Sequence, residues 1–120
     1  MKGPPLSLPE LPWVAVLLDR STASSGEAIA ISFEGRSRSR SFGEHSMGFS
    51  TANDEDPLPD GATLYLCSSV EADRTGKRYE DGIEPDVKLT APNSIPREDQ
   101  DAVLLTAERW LAQEAISDRE

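Results

Sequence analysis

"WVAVLLDRSTASSGEAIAI", residues 13–31, joins two patterns across one short polar break. Trp13–Asp19 is a continuous apolar run of strand length, closed by a charge. A strand that is apolar on both faces is one covered on both faces, as in a parallel sheet. Glu27–Gly35, "EAIAISFEG", has the composition of a short buried helix, with Gly35 placed to follow its C-terminus. Between them lie Ser21, Thr22, Ala23, Ser24, Ser25 and Gly26. The small hydroxyl residues there allow two readings. Ser24 with Glu27 three residues on satisfies the capping-box pattern of an ordinary helix start. Alternatively, a serine on a tight strand-to-helix turn exposes its hydroxyl as a nucleophile, and the next backbone N–H stands where it can stabilise an oxyanion. The two readings are compatible, and spacing alone does not choose between them.

Working outward, Arg and Ser alternate from Arg36 to Ser41, which fits the start of a second strand. Residues 45–61 read as a long loop. Ala62–Asp73 is the strongest strand pattern, residues 74–82 turn back, and 83–89 form a short last strand with Pro85 near an edge. In Asp101–Ala115, Val103, Ala107, Trp110 and Leu111 recur at helical spacing, with Leu104 beside them. Asp99 or Asp101 caps that helix. The order strand, helix, strand, loop, hairpin, helix predicts an α/β fold with a right-handed crossover between the first two strands. Trp110 and its stripe belong to the core or to an interface with a further segment.

Composition narrows the function classes. The chain of 120 residues carries 12 Lys and Arg against 22 Asp and Glu, a net charge of −10. A nucleic-acid binder needs a positive face to release counterions from phosphate, so nucleic acid is excluded as a partner, and anionic membrane surfaces are disfavoured. No stretch approaches the roughly 20 apolar residues of a membrane span. The proline-rich start "MKGPPLSLPELP" lacks the apolar core of a signal peptide. The one cysteine, Cys67, forbids an internal disulfide and reads as buried filler. Asp54, Glu55 and Asp56 are consecutive, without the alternating oxygens and turn glycine of a calcium loop, so they read as a solvated loop and imply no metal. Arg36, Arg38 and Arg40 read as a solvated strand face.

Four segments in order carry a resemblance: "TASSGE" (22–27), "FGEHSMG" (42–48), "LPDGATLYL" (58–66) and "GIEPDV" (82–87). Over about residues 12–90 the chain resembles the C-terminal part of the peptidase domain of the C-terminal processing (tail-specific) serine peptidases. Their nisin-resistance and retinoid-binding-protein-like members are the nearest in type. The resemblance implies a partial α/β fold of the ClpP/crotonase type, built from ββα units. It also implies Ser24 as the nucleophile, the Ser25 N–H as an oxyanion donor, and a supporting structural role for Glu27. On this basis residues 1–11 are expected to be a lead-in or truncation point, 12–90 the C-terminal part of the peptidase domain, and 91–120 a linker with an amphipathic helix.

One departure matters. Tail-specific members carry their general base, a lysine, in G-E-x-T-x-G-K-G. That pattern falls on Gly43 to Ser50, and the lysine position holds Phe49, which cannot accept a proton. Nisin-resistance-type members use a histidine from an upstream segment instead. His45, the one histidine, falls on the variable position of the motif and is expected to be dispensable. The implied function is therefore a serine-type peptidase acting by acyl transfer on peptide or protein substrates. The base comes from a missing N-terminal part of the domain, Gly48 and Phe49 line the substrate groove, and no cofactor is implied. The alternative is a degenerate homologue kept as a binding or assembly module. The isolated chain is expected to be inactive. Its relatives are usually exported.

Overall fold

The computed structural model describes residues 10–90 and 101–118. Three short parallel strands form its centre: β1 (Val14–Leu18), β2 (Ser39–Gly43) and β5 (Val87–Lys88), in the order β1-β2-β5. β1 and β2 run in register from Val14 against Ser39 to Leu18 against Gly43. The connection between them contains α1 (Ser25–Ile31), the βαβ arrangement expected from the sequence.

Alternation along β1 serves both faces, although Leu17 remains exposed and the expected cover is incomplete there. Val16 and Leu18 pack on one side with Ala30 and Ile31 of α1 and with Tyr79 and Ile83. Ala15 faces the other side, where Phe42 meets Val103, Ala107 and Trp110 of α2 (Ala102–Ser117). The Trp110 ring lies 5.5 Å from Phe42 and meets Trp13 edge-on at 5.6 Å. Full burial of a ring such as Phe42 contributes roughly 1.5–3 kcal/mol, and the half-buried Trp13 and Trp110 contribute less. The carboxylate of Asp101 caps α2 by accepting from the N–H groups of Val103 and Leu104. Asp99, the other candidate cap, and the linker and lead-in residues 91–100 and 1–9 lie outside the described residues.

The helix after Ser24 is shorter than the sequence pattern predicts. It stops at Ile31, and Phe33 and Glu34 continue as tighter turns by donating to the carbonyls of Ala30 and Ile31. Gly35, with φ of 65°, ends that turn. The arginine run also departs from a strand face. Only Arg40 lies within β2. Arg38 takes a positive φ of 62°, stacks over Trp13, and pairs with Glu10 and Asp118. Trp13 in turn donates to Asp118, so this corner ties the segment leading into β1 to the end of α2.

Larger corrections concern residues 45–73. Part of the expected loop is a strand, β3 (Thr51–Pro57), paired antiparallel with β4 (Thr63–Val70). "TANDEDP" has poor strand propensity and no apolar alternation, so its sequence gives no strand signal. It is extended because β4 supplies its backbone partners and the Pro59-Asp60-Gly61 turn closes the hairpin. The expected pairing of the last two strands is replaced accordingly, and β5 joins β2 in parallel. Every residue from Ala52 to Ser69 is exposed. Cys67 is therefore an exposed hairpin residue and not buried filler. The hairpin is rooted by Glu71 N–H donating to the Ser50 carbonyl and by Ser50 Oγ donating to the Tyr79 carbonyl.

Candidate active site

After β1 the chain folds tightly on itself. The Asp19 carboxylate accepts from the Ser21 N–H at 2.8 Å and from the Thr22 hydroxyl at 3.1 Å, and the Asp19 carbonyl accepts from the Thr22 N–H. Ser24 follows with φ of 52° and ψ of −120°, one of two non-glycine residues with positive φ among the described residues. A serine held there is strained by roughly 1–3 kcal/mol, and such strain persists only where neighbouring contacts enforce it. The Ser24 side chain is exposed. It lies toward the Glu27 N–H in the capping-box sense without closing a cap hydrogen bond, because the backbone is not in the extended conformation of an ordinary N-cap. Ser25 begins α1, so its N–H is among those a helix leaves without an intrahelical acceptor.

Glu27 stands behind this turn with its side chain fully buried. Its Oε2 accepts from the Ser24 N–H at 3.0 Å. Its Oε1 accepts from the Ser46 hydroxyl at 2.5 Å and from the Gly48 N–H at 2.8 Å. Burial pushes the carboxyl pKa up, but the hydrogen bonds from Ser46, Gly48 and Ser24 outweigh it and hold the group below its ordinary value. Glu27 is thus a buried, ionised acceptor at neutral pH. Ser46 is buried as well. Its Oγ accepts from the Ile83 N–H at 2.8 Å while its own N–H donates to the Ile83 carbonyl at 3.1 Å. Met47 N–H donates to the Thr22 carbonyl at 2.8 Å. Segments 22–27 and 46–48 therefore meet at one carboxylate, and Ser46 ties segment 82–83 to it. Sequence reading singled out Ser24 and Glu27 but assigned nothing to Ser46. The signal was available: the motif position it occupies is a threonine in the tail-specific pattern, a hydroxyl in either case.

Gly48 and Phe49 continue from this junction. Met47 and Phe49 are 49% and 61% exposed, so both project into solvent from the loop held against the Ser24 turn. His45 is exposed, and its ring nitrogens face the Ser46 carbonyl and Glu84, not Ser24. Nδ1 lies 2.7 Å from the Ser46 carbonyl, and Nε2 faces Glu84 at 3.8 Å. It lines a separate open groove of about 450 Å³ beside the C-terminal ends of β1, β2 and β5, with Arg20, Glu44, Glu84, Lys88 and Leu89. Arg20 Nε pairs there with Glu44 at 3.3 Å, and Lys88 pairs with Glu84. Among the described residues no group of three or more His, Cys, Asp or Glu side chains is arranged to hold a metal ion. Asp54, Glu55 and Asp56 lie along β3 with alternating directions, so neighbours in sequence point to opposite faces.

Fold and site together define a mixed α/β segment that presents a strained, exposed serine between a parallel strand and a helix. The sequence profile of peptidase family S41 matches residues 10–89, and the chain belongs to that family. It is 41% identical over 82 residues to the nisin-resistance protein of Lactococcus lactis subsp. lactis, covering 68% of this chain and 26% of that protein. A lipoprotein from Streptococcus agalactiae shares the fold over 88% of this chain and 33% of its own, with a TM-score of 0.68 and 31% identity. The photosystem II D1 C-terminal processing protease does so over 68% of this chain and 21% of its own, with a TM-score of 0.59 and 28% identity. The chain thus spans a third or less of the length of these relatives.

Proposed function

We propose that this chain is the nucleophile-bearing, C-terminal part of a serine peptidase domain of the ClpP/crotonase type. The observation that carries the reading is Ser24. It is exposed, holds a positive φ, and stands between β1 and α1 within T-A-S-S-G-E in a chain of this peptidase family. Ser24 Oγ attacks the substrate carbonyl, and the Ser25 N–H at the start of α1 supports the oxyanion. Collapse of the tetrahedral intermediate breaks the peptide C–N bond, and the amine leaves carrying the proton that the base took from Ser24. Water then hydrolyses the acyl-enzyme to release the acid and restore Ser24. The proton of Ser24 goes to a histidine outside these 120 residues. Phe49 stands where lysine-using relatives carry their base, and with Gly48 it forms an apolar wall of the peptide groove. The partners are thus a peptide or protein substrate and an N-terminal part of the peptidase domain. The exposed Leu64, Tyr65 and Leu66 of the hairpin are fitted to be covered by that part, since a lone two-stranded hairpin is marginal in water. The S. agalactiae relative is described as a lipoprotein, which supports a cell-envelope or exported location for the parent protein.

The test has two arms. The purified chain is incubated with casein and with a fluorophosphonate probe, and neither turnover nor labelling is expected. Labelling that disappears in Ser24→Ala would place the base within the chain. In a longer protein that includes the N-terminal part, Ser24→Ala abolishes turnover. His45→Ala there leaves kcat/KM within about threefold, or about 0.7 kcal/mol of transition-state stabilisation. An active Ser24→Ala protein would refute Ser24 as the nucleophile, and a longer protein without turnover while Ser24 is intact would leave the binding-module reading in its place.

A further inference from the structure

We propose that Glu27 is a positioning residue whose carboxylate locks the Ser24 turn, the Ser46–Phe49 loop and the Ile83 segment into one rigid unit. The proposal rests on the serine-peptidase reading for its purpose and on geometry for its substance. Capping a seven-residue helix does not require a buried carboxylate, since an exposed glutamate at the third helical position reaches the same N–H. Glu27 is instead fully buried and spends its second oxygen on a segment about twenty residues away: Ser46 Oγ and Gly48 N–H. A carboxylate accepts several donors at once, and these three arrive from two parts of the chain. Ser46 passes the connection on. It donates to Glu27 and accepts from Ile83 N–H, so its hydroxyl is used in both senses. Space is kept for it, because a Cβ at Gly82 would stand 2.6 Å from Ser46 Oγ.

The consequence lies at Ser24. Its backbone is the one non-glycine element of this junction in a disfavoured conformation, and the Glu27 carboxylate holds its N–H. The same carboxylate holds the N–H of Gly48, next to Phe49. Nucleophile and groove wall therefore keep a fixed relation, as a reaction that depends on sub-ångström placement requires.

The test uses amide hydrogen exchange and the intraresidue HN–Hα nuclear Overhauser effect on the 120-residue chain, neither of which needs turnover. In the wild type a strong HN–Hα effect marks Ser24 at positive φ. Glu27→Gln keeps the shape but turns one oxygen into a donor that faces donors. The Ser24 and Gly48 amides are both expected to exchange about tenfold faster or more, while the Val16 and Phe42 amides of the sheet stay within about twofold. The Ser24 effect should weaken. Ser46→Ala has no direct contact with Ser24, yet it should speed the Ser24 amide together with that of Gly48. That variant carries the test if Glu27→Gln does not fold. Acceleration of Gly48 alone in Ser46→Ala would overturn the proposal, leaving Glu27 as a helix cap. Equal acceleration of the sheet amides would also overturn it, since Glu27 would then support the core at large. Coupled amides in this chain, together with no turnover in a longer protein that includes the N-terminal part, would refute the peptidase reading and leave the lock standing.

Discussion

Gly82→Ala probes the junction behind Ser24 from the side that the G-I-E-P-D-V segment supplies. Gly82 has φ of 91°, and an added Cβ would lie 2.6 Å from Ser46 Oγ and 3.0 Å from the Gly48 N and Cα. The positive φ alone costs a non-glycine residue roughly 1–3 kcal/mol. The close approach to the Gly48 backbone leaves Ser46 as the group that must yield. Moving Ser46 weakens a hydrogen bond to an ionised carboxylate, worth about 1.5–3 kcal/mol. The sum is about 2.5–6 kcal/mol, a large part of the stability of a small domain. Urea unfolding followed by the fluorescence of Trp13 and Trp110, which meet where α2 packs, reads it directly. Gly76→Ala is the control. Gly76 has a similar φ of 87° with nothing within 4 Å, so it carries the strain without the collision. The difference between the two variants isolates the displacement of Ser46. A difference below about 0.5 kcal/mol would refute the reasoning, because Ser46 would then move without loss.

Ser24→Gly should stabilise the chain by about 1 kcal/mol, since it removes the strain of a positive φ at an exposed side chain that closes no cap hydrogen bond, and thermal unfolding reads this as a rise of several degrees. Acid should weaken the wild type through Glu27: its folded pKa lies below the ordinary 4.5, so the stabilisation is complete above that pH and is lost as pH falls through the folded value, while Glu27→Gln should show a flatter profile. Asp73 acts in the same direction lower down. Hydrogen bonds from the Thr75 hydroxyl, against a smaller effect of burial, bring it from 3.8 to about 2, and Tyr79 and backbone N–H groups add to the shift, so its contribution fades across that interval, and Asp73→Asn should remove it from a pH-melting series. Glu34→Gln should raise the melting point at neutral pH, because burial and then the Asp86 charge push the Glu34 carboxyl up and disfavour its ionised form. The gain should vanish once acid has protonated Glu34, and a gain that persists there would refute the assignment.

Much of this protein is written locally. Trp13–Leu18 is apolar at consecutive positions, a pattern that predicts a parallel strand packed on both faces. β1 packs through Val16 and Leu18 on one side and Ala15 on the other, although Leu17 stays 45% exposed. The Val103–Ala107–Trp110 stripe and its Asp101 cap define α2 in the same way, since 3.6-residue periodicity and a side-chain acceptor are properties of the segment itself. The T-A-S-S-G-E turn was also legible, down to the pairing of Ser24 with Glu27. What the sequence could not say is where the second oxygen of Glu27 goes. Ser46 and Gly48 are distant in the chain, and a lone serine in a polar loop carries no mark of burial until the Ile83 segment closes over it. β3 was hidden for the same reason: a run of Asp, Asn and Glu becomes a strand only when another strand supplies the hydrogen bonds. Cys67 is exposed although a lone cysteine favours the interior, because burial belongs to the surroundings of a residue and not to its type. Local composition fixes what a segment prefers, and long-range hydrogen bonds and close packing decide which segments meet.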